Sequence, residues 1–357
     1  MQLAIETLTP LWTGGVETGK VDRIHESGIL GSLRWWYEAI VRGLGGKACD
    51  PSKGECRFDT GKYEKRTASD ERQRQRLRDA GLCDVCQLFG ATGWRRRFRL
   101  EVTNDQTAPL WTGNQPLNIR PPGRNRGWFL PPGRMGTFTL RIHGDAASVA
   151  RLLALLRFVE RWGSLGAKPQ LGYGVIAIPN WDAVKNNVND FSWRQAAQSF
   201  GANLSSPNPD LPDLRHFGFF RYRFQTPDAA WWSHIGGIER VAAQVRPFAA
   251  RTVPVTPALK NVWRFQHWQR AWGDERTFWG RVATDRIRGK VAVSWAYPRT
   301  GGWEIRGSAW LSGVQPKPVW QLLSNAAIVN QTLGVTGTMD TMRPQTTDEL
   351  LNFLENL

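Results

Sequence analysis

The chain has 357 residues, of which 41% are hydrophobic, and its formal net charge is +16. This length and apolar content exclude a disordered tail and are enough for two domains with hydrophobic cores. No apolar run is long enough to cross a bilayer, and the first residues lack the pattern of a signal peptide, so we expect a cytoplasmic protein.

The basic charge favours a polyanionic partner, either nucleic acid or an anionic membrane surface. The chain holds 37 arginines, 10 lysines and 19 tryptophans. Guanidinium groups form paired hydrogen bonds with phosphates, and aromatic rings stack on unpaired bases. The composition therefore favours single-stranded nucleic acid over a membrane. A solubilising basic surface over a tryptophan-rich core is the alternative.

The first predicted elements are a strand over residues 2–8 and a helix that begins near residue 28. The helix places its apolar residues on one face at helical spacing, at Leu30, Leu33, Tyr37, Ile40, Val41 and Leu44. Trp36 lies at the edge of this face, and Trp35 lies on the far side near Arg42, where we expect it to be exposed. Glu38 is four residues from both Arg34 and Arg42, so an ion-pair ladder is the structural alternative for these two arginines.

The next part of the chain continues a strand–helix alternation around a polar insertion at about 45–93. Strands are predicted over 96–103, 137–142 and 173–178, and a helix capped by Asp145 separates the last two. The order β-α-β-β-α-β is that of a ferredoxin-like domain, which RNA-recognition domains share.

The second half begins after a linker rich in Pro, Asn and Ser. A strand is predicted over 216–224, then a helical region, a β-hairpin and a helix over 318–334, but the closing strand has no clear pattern. The fold prediction is α+β, with two ferredoxin-like domains in tandem and the second degenerate. Their limits are 1–180 and 215–357, joined by a linker over 181–214.

All four cysteines, Cys49, Cys56, Cys83 and Cys86, lie in the insertion. Cys83 and Cys86 form a C-x-x-C knuckle, whereas six residues separate the other pair. A reducing cytoplasm argues against disulfides, and an insertion with few apolar residues needs another device to fold. We therefore predict a structural Zn²⁺ ion held by four thiolates, with two independent pairs of free cysteines as the alternative.

Two further motifs indicate phosphate contact. Arg95, Arg96 and Arg97 follow a Gly-Trp turn at the entry to a strand. The loop "GAKPQLGYG" at 166–174 combines Lys168 with glycines that allow close approach of a ligand. A solvated charge run and a tight connection are the respective structural alternatives. The loop is neither a Walker loop nor a dinucleotide fingerprint.

The sequence offers little evidence of catalysis. His25 lies between the first strand and the first helix, near Asp22, where a metal-independent ribonuclease could place a general base. A loop histidine with one neighbouring acid more often has a hydrogen-bonding role. We therefore predict a protein that is not an enzyme, with a metal-independent endoribonuclease that uses His25 as the alternative.

Four segments carry a resemblance to a known family: "TPLWTGG" at 9–15, "GILGSLRWWYEAIVRGLGG" at 28–46, "CDVCQLFGATGWRRRFR" at 83–99 and "GAKPQLGYG" at 166–174. Together they resemble the RAMP superfamily of CRISPR effector proteins, and more narrowly the first RAMP subunit of type III-B (Cmr) complexes. The resemblance covers residues 1 to about 180 and is diffuse beyond.

The resemblance implies two ferredoxin-like domains and a non-catalytic subunit, because target cleavage belongs to other subunits of such complexes. The subunit would lie at the 3′ part of the guide RNA, beside other RAMP subunits, and help to capture target RNA in antiviral defence. The predicted RNA-binding residues are Arg34, Trp35, Arg42, Arg95, Arg96, Arg97, Lys168, Gly172 and Gly174.

Overall fold

The computed structural model describes residues 1–63, 70–188, 191–201, 208–281 and 286–357. Parts of the predicted insertion (64–69) and of the predicted linker (189–190 and 202–207) therefore lie outside the described residues. The strands are β1 Gln2–Thr7, β2 Phe98–Thr103, β3 Ala108–Pro109, β4 Leu117–Ile119, β5 Trp128–Leu130, β6 Arg134–Met135, β7 Thr137–Gly144, β8 Ile176–Ala177, β9 Phe217–Gln225, β10 Val291–Val293, β11 Tyr297–Arg299, β12 Gly302–Trp310 and β13 Thr336–Met342. The helices are α1 Glu26–Gly43, α2 Asp70–Asp79, α3 Asp84–Phe89, α4 Ala146–Arg161, α5 Trp181–Val184, α6 Trp193–Gln198, α7 Ala242–Val245, α8 Thr256–Val262, α9 Glu275–Trp279, α10 Pro316–Leu323, α11 Ala326–Leu333 and α12 Thr347–Glu355.

The first sheet has the order β2-β7-β1-β8, and every neighbouring pair is antiparallel. Alternation of apolar residues explains the central strand β7, in which Phe138, Leu140 and Ile142 are buried. Helices α1 and α4 pack against each other. As predicted, the side chain of Asp145 caps α4, accepting a 2.8 Å hydrogen bond from the backbone N–H of Ser148.

The second sheet has the order β10-β12-β9-β13, with β11 also paired to β12. Its four main strands follow one another in the chain as β9, β10, β12 and β13, so both sheets have their first and third strands at the centre. The closing strand β13, which had no clear pattern in the sequence, pairs with β9 from Thr336 to Met342. None of its residues is buried, so the apolar signal of a strand is missing there.

The predicted helix over 318–334 is two helices, α10 and α11. Asn325 begins the second one, because its side-chain oxygen accepts a hydrogen bond of 3.0 Å from the backbone N–H of Ala327. The whole fold is mixed α+β, with antiparallel sheets.

Two hydrophobic cores hold the fold, and each draws on both halves of the chain. The first contains the apolar face of α1 together with Phe217 and Phe219 of β9 and with Leu350 and Phe353 of α12. The second contains the residues behind the second sheet and also takes residues from the first half, namely Trp12, Leu117, Ile119, Leu130 and Tyr173. The two sheets are therefore packed together along a seam of apolar side chains.

Candidate nucleic-acid interface and metal centre

Helix α1 divides its two tryptophans between the core and the seam. Trp36 is buried, and its indole N–H donates a 2.9 Å hydrogen bond to the carbonyl oxygen of Ser164. Trp35 is half-buried, with its ring edge-on to Phe217 at a centroid distance of 5.9 Å. The helical periodicity thus separates the two rings as predicted, with Trp35 at the edge of an opening instead of on a free surface.

That opening is a cleft between the two halves of the molecule, which we call the seam cleft, with a volume of about 420 Å³. The N-terminal turns of α1 form one wall and the loop at 164–170 a second. The third wall belongs to the second half of the chain, where Trp310 stacks on Phe217 with ring planes 7° apart. The seam cleft is lined by Gly28, Gly31, Ser32, Trp35, Trp36, Ser164, Gly166, Ala167, Pro169, Gln170, Phe217, Arg288, Gly289, Lys290, Ala292, Ser308 and Trp310.

Two cations from the second half stand at the seam cleft. Arg288 is exposed, and Lys290 lies with its ammonium nitrogen 4.5 Å from the centre of the Trp310 ring. Burial lowers the pKa of Lys290. The seam cleft therefore combines two partly accessible indole rings with positive charge at one side.

The Gly-rich loop is held against the second half of the chain. The carbonyl oxygen of Leu171 accepts a 2.9 Å hydrogen bond from the indole N–H of Trp295. Gly172 has a φ of +90°, and an added Cβ there would lie 2.5 Å from Cδ1 of Trp295. Gly174, also at φ +90°, leaves the same kind of space for the carbonyl oxygen of Leu165. Both glycines are buried, so here the close approach is between protein segments, and neither glycine is exposed to a ligand.

Lys168 is half-buried, like the rest of residues 166–171 in this loop. Its backbone has a φ of +65°, and its ammonium nitrogen lies 4.5 Å from the centre of the Trp12 ring. Burial lowers its pKa. Lys168 is available to a phosphate at the edge of the loop.

Arg34 and Arg42 both have internal partners. They flank Glu38 at N–O distances of 2.9 and 3.8 Å, which is the ion-pair ladder predicted as the structural alternative. Arg42 is only 8% exposed and donates hydrogen bonds to the carbonyl oxygens of Cys49 and Pro212. The expectation that Arg42 contacts RNA therefore does not fit the structure, because its guanidinium is buried.

The guanidinium of Arg34 also has its hydrogen-bond partners within the protein. Burial disfavours its charge, but the hydrogen bond with Glu38 and the nearby sulfur of Cys86 raise the pKa of Arg34 above its ordinary value. The structure thus shows for Arg34 the ion pair with Glu38 that the sequence offered as the alternative to RNA contact.

Arg95 and Arg96 are exposed and Arg97 is half-buried in a separate groove of about 680 Å³. The groove lies beside β2, which is an edge strand of the first sheet, and Arg99 and His143 also line it. The structure therefore does not bring these arginines into the seam cleft.

The four cysteines come together as predicted. Their sulfur atoms all lie within 4.8 Å of one another, and Cys49 and Cys86 are 3.6 Å apart. In a tetrahedral zinc site with Zn–S bonds of about 2.3 Å, neighbouring sulfurs are about 3.8 Å apart, so the donor set and its spacing fit such an ion. Hydrogen bonds with Cys49 lower the pKa of Cys56 and of Cys83, the latter to about 6, whereas hydrogen bonds within the same cluster raise the pKa of Cys49 and of Cys86.

His25 and Asp22 form a pair, with 2.8 Å between Nε2 and Oδ1. The hydrogen bond with His25 lowers the pKa of Asp22. His25 also occupies the position just before α1, and its backbone N–H donates to the hydroxyl of Thr13. The arrangement anchors the start of the helix and also presents an imidazole beside a carboxylate.

Sequence reasoning missed the contribution of the second half to the seam cleft. Lys290 and Trp310 are twenty residues apart, and their proximity follows only from the pairing of β10 with β12. The available signal was the pair of segments "RIRGKVAV" and "GSAWL", which form neighbouring strands and carry the cations and the ring.

Among the described residues, no helix has both the length and the apolar character needed to cross a membrane. No curated protein matches this chain.

Three solved structures illustrate the shape similarity. The apo crystal structure of Cmr1 from Pyrococcus furiosus is 13% identical, with 95% of this chain and 97% of that chain covered and a TM-score of 0.43. Two cryo-EM structures of a type III-B Cmr-beta complex bound to cognate target RNA, one of them also with AMPPnP and in the presence of ssDNA, contain a similar chain. Each is 12% identical, with 93% of this chain and 99% of that chain covered and a TM-score of 0.42.

A family model gives the decisive relationship. The model of the RAMP superfamily matches residues 4–177, which contain β1, α1, the cysteine cluster, the central strands of the first sheet and the Gly-rich loop. Through these residues, the chain is similar to the RAMP superfamily.

Proposed function

We propose that this protein is a non-catalytic RNA-binding subunit of a type III-B CRISPR ribonucleoprotein. It would lie at the 3′ part of the guide RNA, beside other RAMP subunits, and help to capture single-stranded target RNA in antiviral defence. The match of residues 4–177 to the RAMP superfamily model and the segments "LRWW" and "LFGATGW" support this assignment. The names of the similar Cmr complexes, which include target RNA, agree with it.

The seam cleft is the observation that carries the proposal. Trp35 and Trp310 offer ring surfaces on which unpaired bases stack, and each stacked base contributes about 1–3 kcal/mol to binding. Arg288 and Lys290 line the cleft and supply charge for the phosphates, and Lys168 adds a further cation from the loop that forms the second wall. A narrow cleft with rings on its walls suits one or two splayed nucleotides and excludes a duplex.

The proposed architecture is a tandem of two ferredoxin-like domains. Supporting it, the strands of each sheet follow the order second, third, first, fourth, with helices in the two crossover connections. We propose the limits 1–180 and 215–357 for the two domains and 181–214 for the linker. The seam cleft would then lie between the two domains.

The proposed cofactor is a structural Zn²⁺ ion bound by Cys49, Cys56, Cys83 and Cys86. The spacing of their sulfurs, with four cysteines and no other donor type among the residues that the structure describes here, is typical of a closed, non-catalytic site. Bound zinc would tie the two ends of the insertion together, because Cys49 and Cys86 come from opposite ends of the insertion.

Gly31→Leu tests the proposed RNA site. An added Cβ at Gly31 meets no atom within 4 Å, so the new side chain fills the seam cleft without disturbing the fold. Replacing a helical glycine also favours the helix by up to about 1 kcal/mol. We expect Gly31→Leu to weaken binding of single-stranded RNA by roughly tenfold or more in a fluorescence-anisotropy titration, with no fall in melting temperature.

Ala327→Leu is the control, because it adds the same side chain at an exposed position of α11. Its RNA affinity should equal that of the wild type. Wild-type affinity in Gly31→Leu as well would contradict the seam cleft as the RNA site.

The His25–Asp22 pair favours one other function, a metal-independent endoribonuclease that processes guide RNA. The same titration, followed on a denaturing gel with and without EDTA, tests it. The subunit assignment expects bound and intact RNA. Cleavage that persists in EDTA and disappears in His25→Ala would establish the nuclease instead.

A further inference from the structure

We propose that Arg34 and Arg42 are positioning residues of the four-cysteine metal centre, in which each guanidinium holds one end of the insertion on α1 and together they offset the charge of the thiolates. This inference rests on the zinc site proposed above and goes beyond it by assigning to the metal two arginines that the sequence assigns to RNA.

Arg34 fixes the downstream end of the insertion. Its three nitrogens donate to three different partners: Nε to a carboxylate oxygen of Glu38 at 2.9 Å, Nη1 to the carbonyl oxygen of Gly90 at 3.2 Å, and Nη2 to Sγ of Cys86 at 3.3 Å. Gly90 ends the helix that bears Cys86. The guanidinium therefore orients both the sulfur and the helix that carries it.

Arg42, two turns further along α1, fixes the upstream end. Its Nη2 donates to the carbonyl oxygen of Cys49 at 2.8 Å. Since Sγ of Cys49 and Sγ of Cys86 are 3.6 Å apart, the two arginines reach the same cluster from one side of the helix. One helix thus presents two cations to two cysteines that are 37 positions apart in the chain.

The charge of the proposed metal centre explains why arginines lie beside it. Four thiolates around a divalent ion leave two negative charges uncompensated, and three of the four cysteines are buried. Buried charge requires paired charge, which Arg34 and Arg42 provide in part, because the carboxylate of Glu38 between them offsets one of their two positive charges. Hydrogen-bond donors around a metal–ligand shell change metal affinity by about 10- to 100-fold when they are removed.

Arg34→Gln is the test, and Arg264→Gln is its matched control. Arg264 is exposed to a similar degree, 20% against 25%, and it also pairs with a glutamate and with the carbonyl oxygen of a glycine that ends a short helix. Its hydrogen-bond partners are oxygens, whereas Arg34 also donates to a sulfur. Zn²⁺ affinity is measured on the full chain by competition with a chromogenic chelator, beside the melting temperature of the zinc-loaded protein.

We expect Arg34→Gln to lower Zn²⁺ affinity by about 10- to 100-fold, Arg34→Lys to lower it less, and Arg264→Gln to leave it unchanged. RNA affinity of zinc-saturated Arg34→Gln should stay within about twofold of the wild type, with the same salt dependence. Equal Zn²⁺ affinity in Arg34→Gln and the wild type would overturn the inference, as would a wild type that binds no Zn²⁺. A wild type that binds Zn²⁺ but no RNA would contradict the proposed function alone, since the metal comparison needs no RNA.

Discussion

Lys260 shows at the residue scale how the seam is held. Its ammonium is buried and donates to the carbonyl oxygens of Gln170 and Val291, at 2.9 and 2.7 Å, so it links the Gly-rich loop to β10. Burial, and then the positive charge of Arg264, lower the pKa of Lys260 from 10.5 to about 7. A lysine in this position makes stability depend on pH.

The expected sign follows from proton linkage. Between pH 7 and 10.5 the unfolded chain holds a proton on this lysine that the folded protein has lost, so the stability contributed by Lys260 rises with pH in that window. Below pH 7 both states are protonated and the contribution is flat. As pH rises from 7 to 10, we expect the free energy of unfolding of the wild type to increase relative to that of Lys260→Met. Urea denaturation of both proteins at each pH measures this difference. A difference in the free energy of unfolding that does not change with pH would refute the pKa change assigned to Lys260.

Prediction from sequence succeeds for single residues whose neighbours are local. The exclusion of Trp35 from the apolar face of α1 follows from helical periodicity, and the pairing of Glu38 with its two arginines follows from i,i+4 spacing. It does not predict the burial of Arg42, because the carbonyl oxygen of Pro212, which accepts a hydrogen bond from Arg42, lies 170 positions away in the chain. Burial of a cation by a distant segment leaves no local trace in the sequence.

At the scale of elements, the Gly-rich loop connects the halves of the molecule. Gly172→Ala combines an unfavourable φ of +90° with close contacts of the added Cβ to the hydroxyl oxygen of Thr256 and to Cδ1 of Trp295. We expect it to lower the free energy of unfolding by more than the roughly 1–3 kcal/mol that such a backbone conformation alone costs. Thermal and urea denaturation provide the measurement.

Gly14→Ala separates the two causes. Gly14 has a φ of +81°, but an added Cβ there meets no atom within 4 Å. It should show the backbone cost alone. Equal losses in the two variants would mean that the close approach of Thr256 and Trp295 contributes nothing.

For some helices and strands, the pattern of the sequence was sufficient to predict the element. The βαββαβ order of the first half follows from strands with alternating burial and from a capped helix. Strand β13 was out of reach, since a strand with no buried residue is specified by its hydrogen-bonded partner β9 and not by its own composition.

Across the whole molecule, the net charge of +16 predicts RNA binding that weakens with salt. Replacing Arg95, Arg96 and Arg97 together by glutamine tests whether the groove beside β2 contributes. If each contacts one phosphate, the slope of log affinity against log salt should become shallower by roughly 2. Anisotropy titrations across salt concentrations measure the slope. An unchanged slope would remove this groove from the RNA path and leave the seam cleft as the only tested contact.

Helix α12 has a consequence for the synthesis of the protein. Its Phe353 packs on Phe158, Trp162 and Phe219, so the first core is complete only when residues 347–355 have left the ribosome. At about 5–20 residues per second, the first half waits roughly 10–30 s for its last apolar side chains. A chain interrupted before residue 347 would expose these rings and be open to proteolysis, so the fold itself restricts assembly to chains that have been translated past α12.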